Sequence, residues 1–115
     1  MFVYARDCKE EILENGVRRR VKGWTDDLMA VELTWNKGMT GEVHTHPHRQ
    51  CGYVLSGSFE AVVDGEKAVL RAGDCFYAQA NQPHGLTALE DASVCLDIFT
   101  PHREDFAQAL KGGAQ

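Results

Sequence analysis

Residues 58–70 read SFEAVVDGEKAVL, two short runs of alternating character on either side of Asp64-Gly65. A two-residue hairpin loop that follows the twist of its strands needs positive φ at both central positions, and an Asp-Gly pair tolerates that conformation well. Apolar residues at every second position are the mark of a half-buried strand. The stretch therefore predicts a β-hairpin, the strongest such signal in the chain.

The same pattern extends outward. In LMAVELTW, residues 28–35, Met29, Val31, Leu33 and Trp35 fall on one face and Ala30, Glu32 and Thr34 on the other. Asn15-Gly16, ahead of VRRRVKGW, is a second turn of the same kind, and Lys37-Gly38 and Ala72-Gly73-Asp74 mark further loops. One helix is expected, at the C-terminal end, with Thr100 as cap, Pro101 at the first helical position, and Phe106 and Leu110 on one face. The final KGGAQ, residues 111–115, is expected to fray. Many short strands with glycine-rich turns in a chain of 115 residues predict an all-β fold: a single domain, residues 1–115, built as a small antiparallel barrel or sandwich with a short C-terminal helix.

Composition narrows the function classes. The chain is 43% hydrophobic and 25% charged with a formal net charge of -5, which disfavours a nucleic-acid partner. The basic triplet Arg18-Arg19-Arg20 reads as a solvated strand edge. No apolar run is long enough for a membrane span, and no targeting signal is evident, so no membrane partner and a cytoplasmic location are expected. Cys8, Cys51, Cys75 and Cys95 include no CxxC pair. They are read as reduced thiols, most of them small buried hydrophobes, rather than as a zinc site.

HTHPHRQ, residues 44–50, concentrates ligand chemistry. On a strand, His44 and His46 project from one face, and two imidazoles supply half a coordination sphere for a transition metal. Pro47 is expected to end regular pairing before Gln50, and His84 completes a set only if another strand brings it close. By itself a His-x-His pair equally describes solvent-facing histidines.

Gly38, five residues, His44, one residue, His46, three residues, Gln50, six residues, Gly57: this spacing resembles the first conserved motif of the cupin superfamily, with Gln in place of the usual Glu. GDCFYAQANQPHG, residues 73–85, is similar to the second motif, with Gln79 where proline is usual, Asn81 where glycine is, and Ala88 where asparagine closes it. The resemblance implies a jelly-roll barrel, or double-stranded β-helix, holding one divalent transition metal, Ni, Zn, Mn or Fe, on His44, His46, Gln50 and His84. His48 is expected to stay outside the ligand set, in solvent or behind it. Three imidazoles and a neutral amide leave the metal's charge uncompensated, which favours an anionic substrate.

LDIFTPHREDF, residues 96–106, and QCGYVLSG, residues 50–57, resemble the sugar-uronate cupins of pectin and alginate catabolism, which open C4–C5 unsaturated monouronates to linear keto-sugars. That resemblance implies catalytic roles for Asp97, as proton carrier, and Arg103, as holder of a sugar-acid carboxylate. The residues themselves leave blander readings open: Asp97 in a strand-end ion pair, and Arg103 as a helix-start residue paired with Glu104 or Asp105. Trp35, Tyr53, Phe59 and Phe76 belong either to the cavity wall or to the core. A metal-dependent dioxygenase and a binding module without turnover are the alternative functions. Small cupins resemble one another in pairing edge strands, and the apolar MFVYA at residues 1–5 fits such a homodimer.

Overall fold

The structure, a computed structural model, describes residues 1–113. After a 3-10 turn at Ala5–Asp7, ten strands follow: β1 (Glu10–Ile12), β2 (Arg18–Trp24), β3 (Met29–Trp35), β4 (Thr40–His44), β5 (Arg49–Ser56), β6 (Ser58–Val63), β7 (Glu66–Arg71), β8 (Cys75–Ala78), β9 (His84–Ala88) and β10 (Ser93–Thr100). A helix, α1 (Glu104–Gly113), closes the chain. All pairings are antiparallel, in a six-stranded sheet ordered β1-β2-β3-β10-β5-β8 and a four-stranded sheet ordered β4-β9-β6-β7. This is the all-β jelly-roll barrel with a short C-terminal helix.

The β6–β7 hairpin forms as its sequence demands, with Val63 opposite Glu66 and the two loop residues at φ 50° (Asp64) and 82° (Gly65). The alternation of β3 is realised as well: Met29, Val31, Leu33 and Trp35 point inward, and the residues between them are half-buried. Trp35, from the six-stranded sheet, meets Phe59, from the four-stranded sheet, edge to face at 5.6 Å. Fully burying side chains such as Phe59, Met29 and Val31 stabilises the sandwich by about 1.5–3 kcal/mol each. Gly52 is fixed by close approach, since a Cβ there would collide with the ring of Phe76, its partner across β5 and β8.

Five local expectations are corrected in whole or in part. Pairing does break around Pro47, but two residues earlier than expected, so that His46 is off the strand: β4 ends at His44, residues 45–48 bend, and β5 begins at Arg49. The bend is held by the Asn81 N–H, which donates to the His46 carbonyl at 2.7 Å. The helix opens at Glu104, three residues beyond Pro101, because Thr100 still pairs with Arg49 in the ladder. The Thr100-Pro101 peptide is cis, and the next residue, His102, is tied by its backbone N–H and by Nδ1 to the Asp26 carbonyl. The expected fraying segment is helical as far as Gly113, and residues 114–115 lie outside the described residues.

Arg18-Arg19-Arg20 is not a solvated edge either, for β2 lies between β1 and β3 and Arg19 is buried at 8% exposure. Of the free cysteines only Cys95 is buried; Cys75 is exposed, and Cys8 and Cys51 are intermediate. The alternation of β8 turns Cys75 outward while Phe76 and Ala78 face the core.

Candidate metal centre and its cavity

His44 closes β4, His46 sits in the bend, Gln50 is the second residue of β5 and His84 opens β9. The His44↔His84 register brings β4 and β9 side by side, so histidines forty positions apart in sequence become neighbours. One ring nitrogen from each of His44, His46 and His84 lies within 4.8 Å of the others. Gln50 Oε1 lies 3.0 Å from Nε2 of His46 and 3.1 Å from Nε2 of His84, so the amide oxygen faces the same point.

The donor set fits a divalent cation. His44 Nδ1–H donates to the Glu42 carbonyl at 2.9 Å and His84 Nδ1–H to the Gln82 carbonyl at 2.8 Å, which leaves Nε2 of each ring for a metal. Burial lowers His46 to a pKa of about 4 and also lowers His84, in each case the leading cause. Both imidazoles are therefore neutral at physiological pH, the form that ligates. His48 lies beside His46, ring centroids 5.5 Å apart, and is not among the three converging histidines. The Nδ1 atoms of both His46 and His48 are buried without a partner among the described residues.

A cavity of about 160 Å³ opens against this cluster. Its polar wall includes His44, Gln50, His84, Asp97 and Arg103, and its apolar wall includes Leu33, Trp35, Phe76, Phe99 and Phe106. That volume lies below the range of drug-sized pockets, so the cavity suits a small ligand. Trp35 and Phe76 thus serve cavity and core together, Phe59 is core alone, and Tyr53 faces outward.

Asp97 is on the inner face of β10 between Cys95 and Phe99, and it has no ion-pair partner among the described residues. Burial pushes its carboxyl up to about 6, against the opposing pull of hydrogen bonds from Cys95 and Gln50 and of the Arg103 charge. Cys95 Sγ–H donates to Asp97 Oδ1 at 3.4 Å, and burial and the nearby carboxylate keep that thiol protonated. Arg103 is placed in both of the ways the sequence leaves open. It lines the cavity, yet its Nε and Nη2 donate to the two carboxylate oxygens of Asp105 at 3.2 and 2.8 Å. One edge of the fork is thus occupied, and Nη1 remains for a ligand.

Residues 31–99, more than half the chain, match the family described as Cupin domain. The chain belongs to the cupin family. This cupin is 45% identical over 97 residues to the pectin degradation protein KdgF of Dickeya dadantii (strain 3937), a match covering 84% of this chain and 88% of that protein. It is similar to the solved structure of KdgF from Halomonas sp., with TM-score 0.88, 38% identity, and coverage of 92% of this chain and 97% of that one. An RmlC-like cupin from Shewanella frigidimarina NCIMB 400 superposes with TM-score 0.86 and 37% identity, covering 91% of this cupin and 94% of its own chain.

Sequence reasoning missed the rim of the cavity. Leu13, Asn15 and Val17 reach it from the β1–β2 hairpin, and Phe106 from α1. Asn15 is fixed there by donating to the Thr40 carbonyl at 3.1 Å while accepting from the Val17 N–H at 3.1 Å. A usable signal exists for the inner face of β2: Val17, Arg19 and Val21 alternate, so two buried valines predict an inward arginine between them.

Proposed function

We propose that this cupin, acting as a single domain, opens the ring of C4–C5 unsaturated monouronates, the chemistry of pectin and alginate breakdown. In this reading a divalent cation, Ni, Zn, Mn or Fe, is held by His44, His46, Gln50 and His84. The observation that carries it is the pairing, in one small cavity, of a cation-binding cluster with a buried carboxylate whose pKa stands at about 6. Similarity to two KdgF proteins, one described as a pectin degradation protein, supports the substrate class.

The residues divide the work as follows. Arg103, through the Nη1 side left by Asp105, binds the substrate carboxylate and sets the ring against the cluster. Asp97 takes the proton of the anomeric hydroxyl, since a carboxylate with a pKa of about 6 is a competent base at neutral pH and a competent acid once protonated. As the C1–O bond to the ring oxygen breaks, the anomeric carbon becomes a carbonyl. The departing oxygen is vinylic and leaves as an enolate. Asp97 returns the proton, and the enol settles as the ketone, so no redox partner is needed. When bound, the cation would acidify a hydroxyl and carry developing negative charge. Leu33, Trp35, Phe76 and Phe99 exclude bulk water and strengthen these charge interactions.

Asp97→Asn tests the assignment. Ring opening is followed by the loss of ultraviolet absorbance of the conjugated double bond, with metal content measured on the same sample. The expected result is a kcat lower by about 10²-fold with little change in KM; near-full kcat removes Asp97 from the reaction, whereas no turnover by the metal-loaded parent protein moves a binding module ahead. Anaerobic turnover with a redox-inert ion separates ring opening from a dioxygenase.

A homodimer in the cytoplasm completes the reading. The outer face of the six-stranded sheet exposes Tyr53, Leu55 and Tyr77, the β2–β3 loop Leu28 and the N-terminus Phe2, which offer apolar area to a second copy. Sedimentation of the full chain distinguishes a dimer from a monomer.

A further inference from the structure

The triplet Arg18-Arg19-Arg20 is the one motif of the sequence that the proposed reaction leaves aside. Its outer members are surface charges: Arg18 is exposed, and Arg20 pairs with Glu10 at 3.0 Å. Arg19 lies on the inner face of β2 between Val17 and Val21, and its Nε and Nη2 donate to the two carboxylate oxygens of Glu11 at 3.3 and 3.2 Å. Its guanidinium carbon stands 4.1 Å from the centroid of the Phe106 ring. The guanidinium carbon of Arg103 stands 4.1 Å from the same centroid, and 5.2 Å from that of Phe99. Phe106 also meets Phe99 edge to face at 5.8 Å.

Glu11, Arg19, Phe106, Arg103 and Asp105 therefore form one continuous stack, from the β1–β2 hairpin across to the start of α1. A carboxylate closes it at each end and a single aromatic ring carries both cations. A stack of this make-up is an expensive way to hold a helix down. Burying an ion pair brings little net stability compared with an apolar filling of the same volume, and two like charges on one ring repel. What the arrangement does supply is orientation: a guanidinium stacked on an aromatic ring is fixed in its plane, and its edges then point in set directions.

We propose that Arg19 is a positioning residue for Arg103, fixing through Phe106 the plane from which Arg103 presents Nη1 to the carboxylate of the substrate. The proposal rests on the reading of Arg103 given above. Arg19 touches neither the substrate nor the metal cluster, so its influence falls on the anchoring of the carboxylate and leaves the proton transfer at Asp97 alone.

The test uses the full-length, metal-loaded protein with an unsaturated monouronate. Arg19→Met combined with Glu11→Gln keeps the side-chain volume and strands no buried carboxylate; Arg19→Lys keeps the cation on Phe106 and guards against a folding failure of the double variant. Expected is a KM raised about tenfold in the double variant and less in Arg19→Lys, with kcat and bound metal unchanged. The same changes made in an Arg103→Lys background add nothing further to KM, because Arg19 acts only through Arg103. Unchanged KM in a variant with a normal melting transition overturns the proposal, and so does a full additional loss in the Arg103→Lys background. If Arg103→Lys alone leaves KM unaltered, the reading of Arg103 itself has failed, an outcome told apart by that single variant.

Discussion

Gln50 is the residue on which the chemistry of the site turns. Its Oε1 faces His46 and His84 while its side chain also acts on Asp97, so one amide joins the cation cluster to the carboxylate. Gln50→Glu would add a charge at both contacts. Metal affinity is expected to hold or rise, KM for an anionic sugar to rise, and the acid limb of the rate profile to move to higher pH as the new carboxylate pushes Asp97 further up. Calorimetric metal titration and a pH–rate profile check this, and loss of metal with the fold intact counts against it. Titration also acts on stability. The folded chain holds His46 at about 4, below its ordinary 6.5, so it binds fewer protons than the unfolded chain in that window and loses stability as pH falls through it. Asp97 has the opposite sign, since between 3.8 and about 6 the folded chain binds more protons and gains stability as pH falls. The melting temperature of metal-free protein should decline between pH 6.5 and 4, and more steeply in Asp97→Asn. A shallower decline in that variant contradicts the buried carboxylate.

At the scale of elements, β5 and β8 meet where Gly52 faces Phe76, and the absent Cβ gives the ring its place in the cavity wall. Gly52→Ala is expected to cost about 1–3 kcal/mol in denaturant unfolding and to narrow the cavity, with much of the loss recovered by Phe76→Leu. Additive losses would show that the two positions do not collide. This scale also shows what the sequence discloses and what it withholds. Alternation in residues 29–35 and the Asp64-Gly65 turn act locally, through one pleat and one loop, so strands and hairpin were legible. The bend at residues 45–48 was half legible: Pro47 announces an end to pairing, but the anchoring of the His46 carbonyl by Asn81 comes from a distant loop. The helix start was misplaced because Thr100 has a ladder partner in Arg49, and a long-range pairing outweighs a local capping preference. Among candidate site residues, His84 joined the histidines in sequence only through family resemblance, since its register with His44 is invisible in either segment alone. Arg19 carried its own signal in the Val17-Arg19-Val21 alternation, masked by the look of a charge run.

For the whole molecule, what matters is where the converging groups come from. His44 and His84 stand on the four-stranded sheet, Gln50 and Asp97 on the six-stranded one, and His46 in the bend that links them. The first three donors lie within seven residues, whereas His84 arrives only when β9 has slotted between β4 and β6. Contacts so distant along the chain form late, because closing a long loop costs entropy before any pairing repays it. An ion held jointly by His44, His46 and His84 would therefore be a clock for the completion of the barrel. In a refolding experiment started from metal-free, denatured chain, the circular-dichroism signal of the strands should rise first and the spectrum of a bound cobalt probe should lag behind it. A chain truncated after β8 lacks His84 and is expected to show no high-affinity hold on an ion in a metal titration.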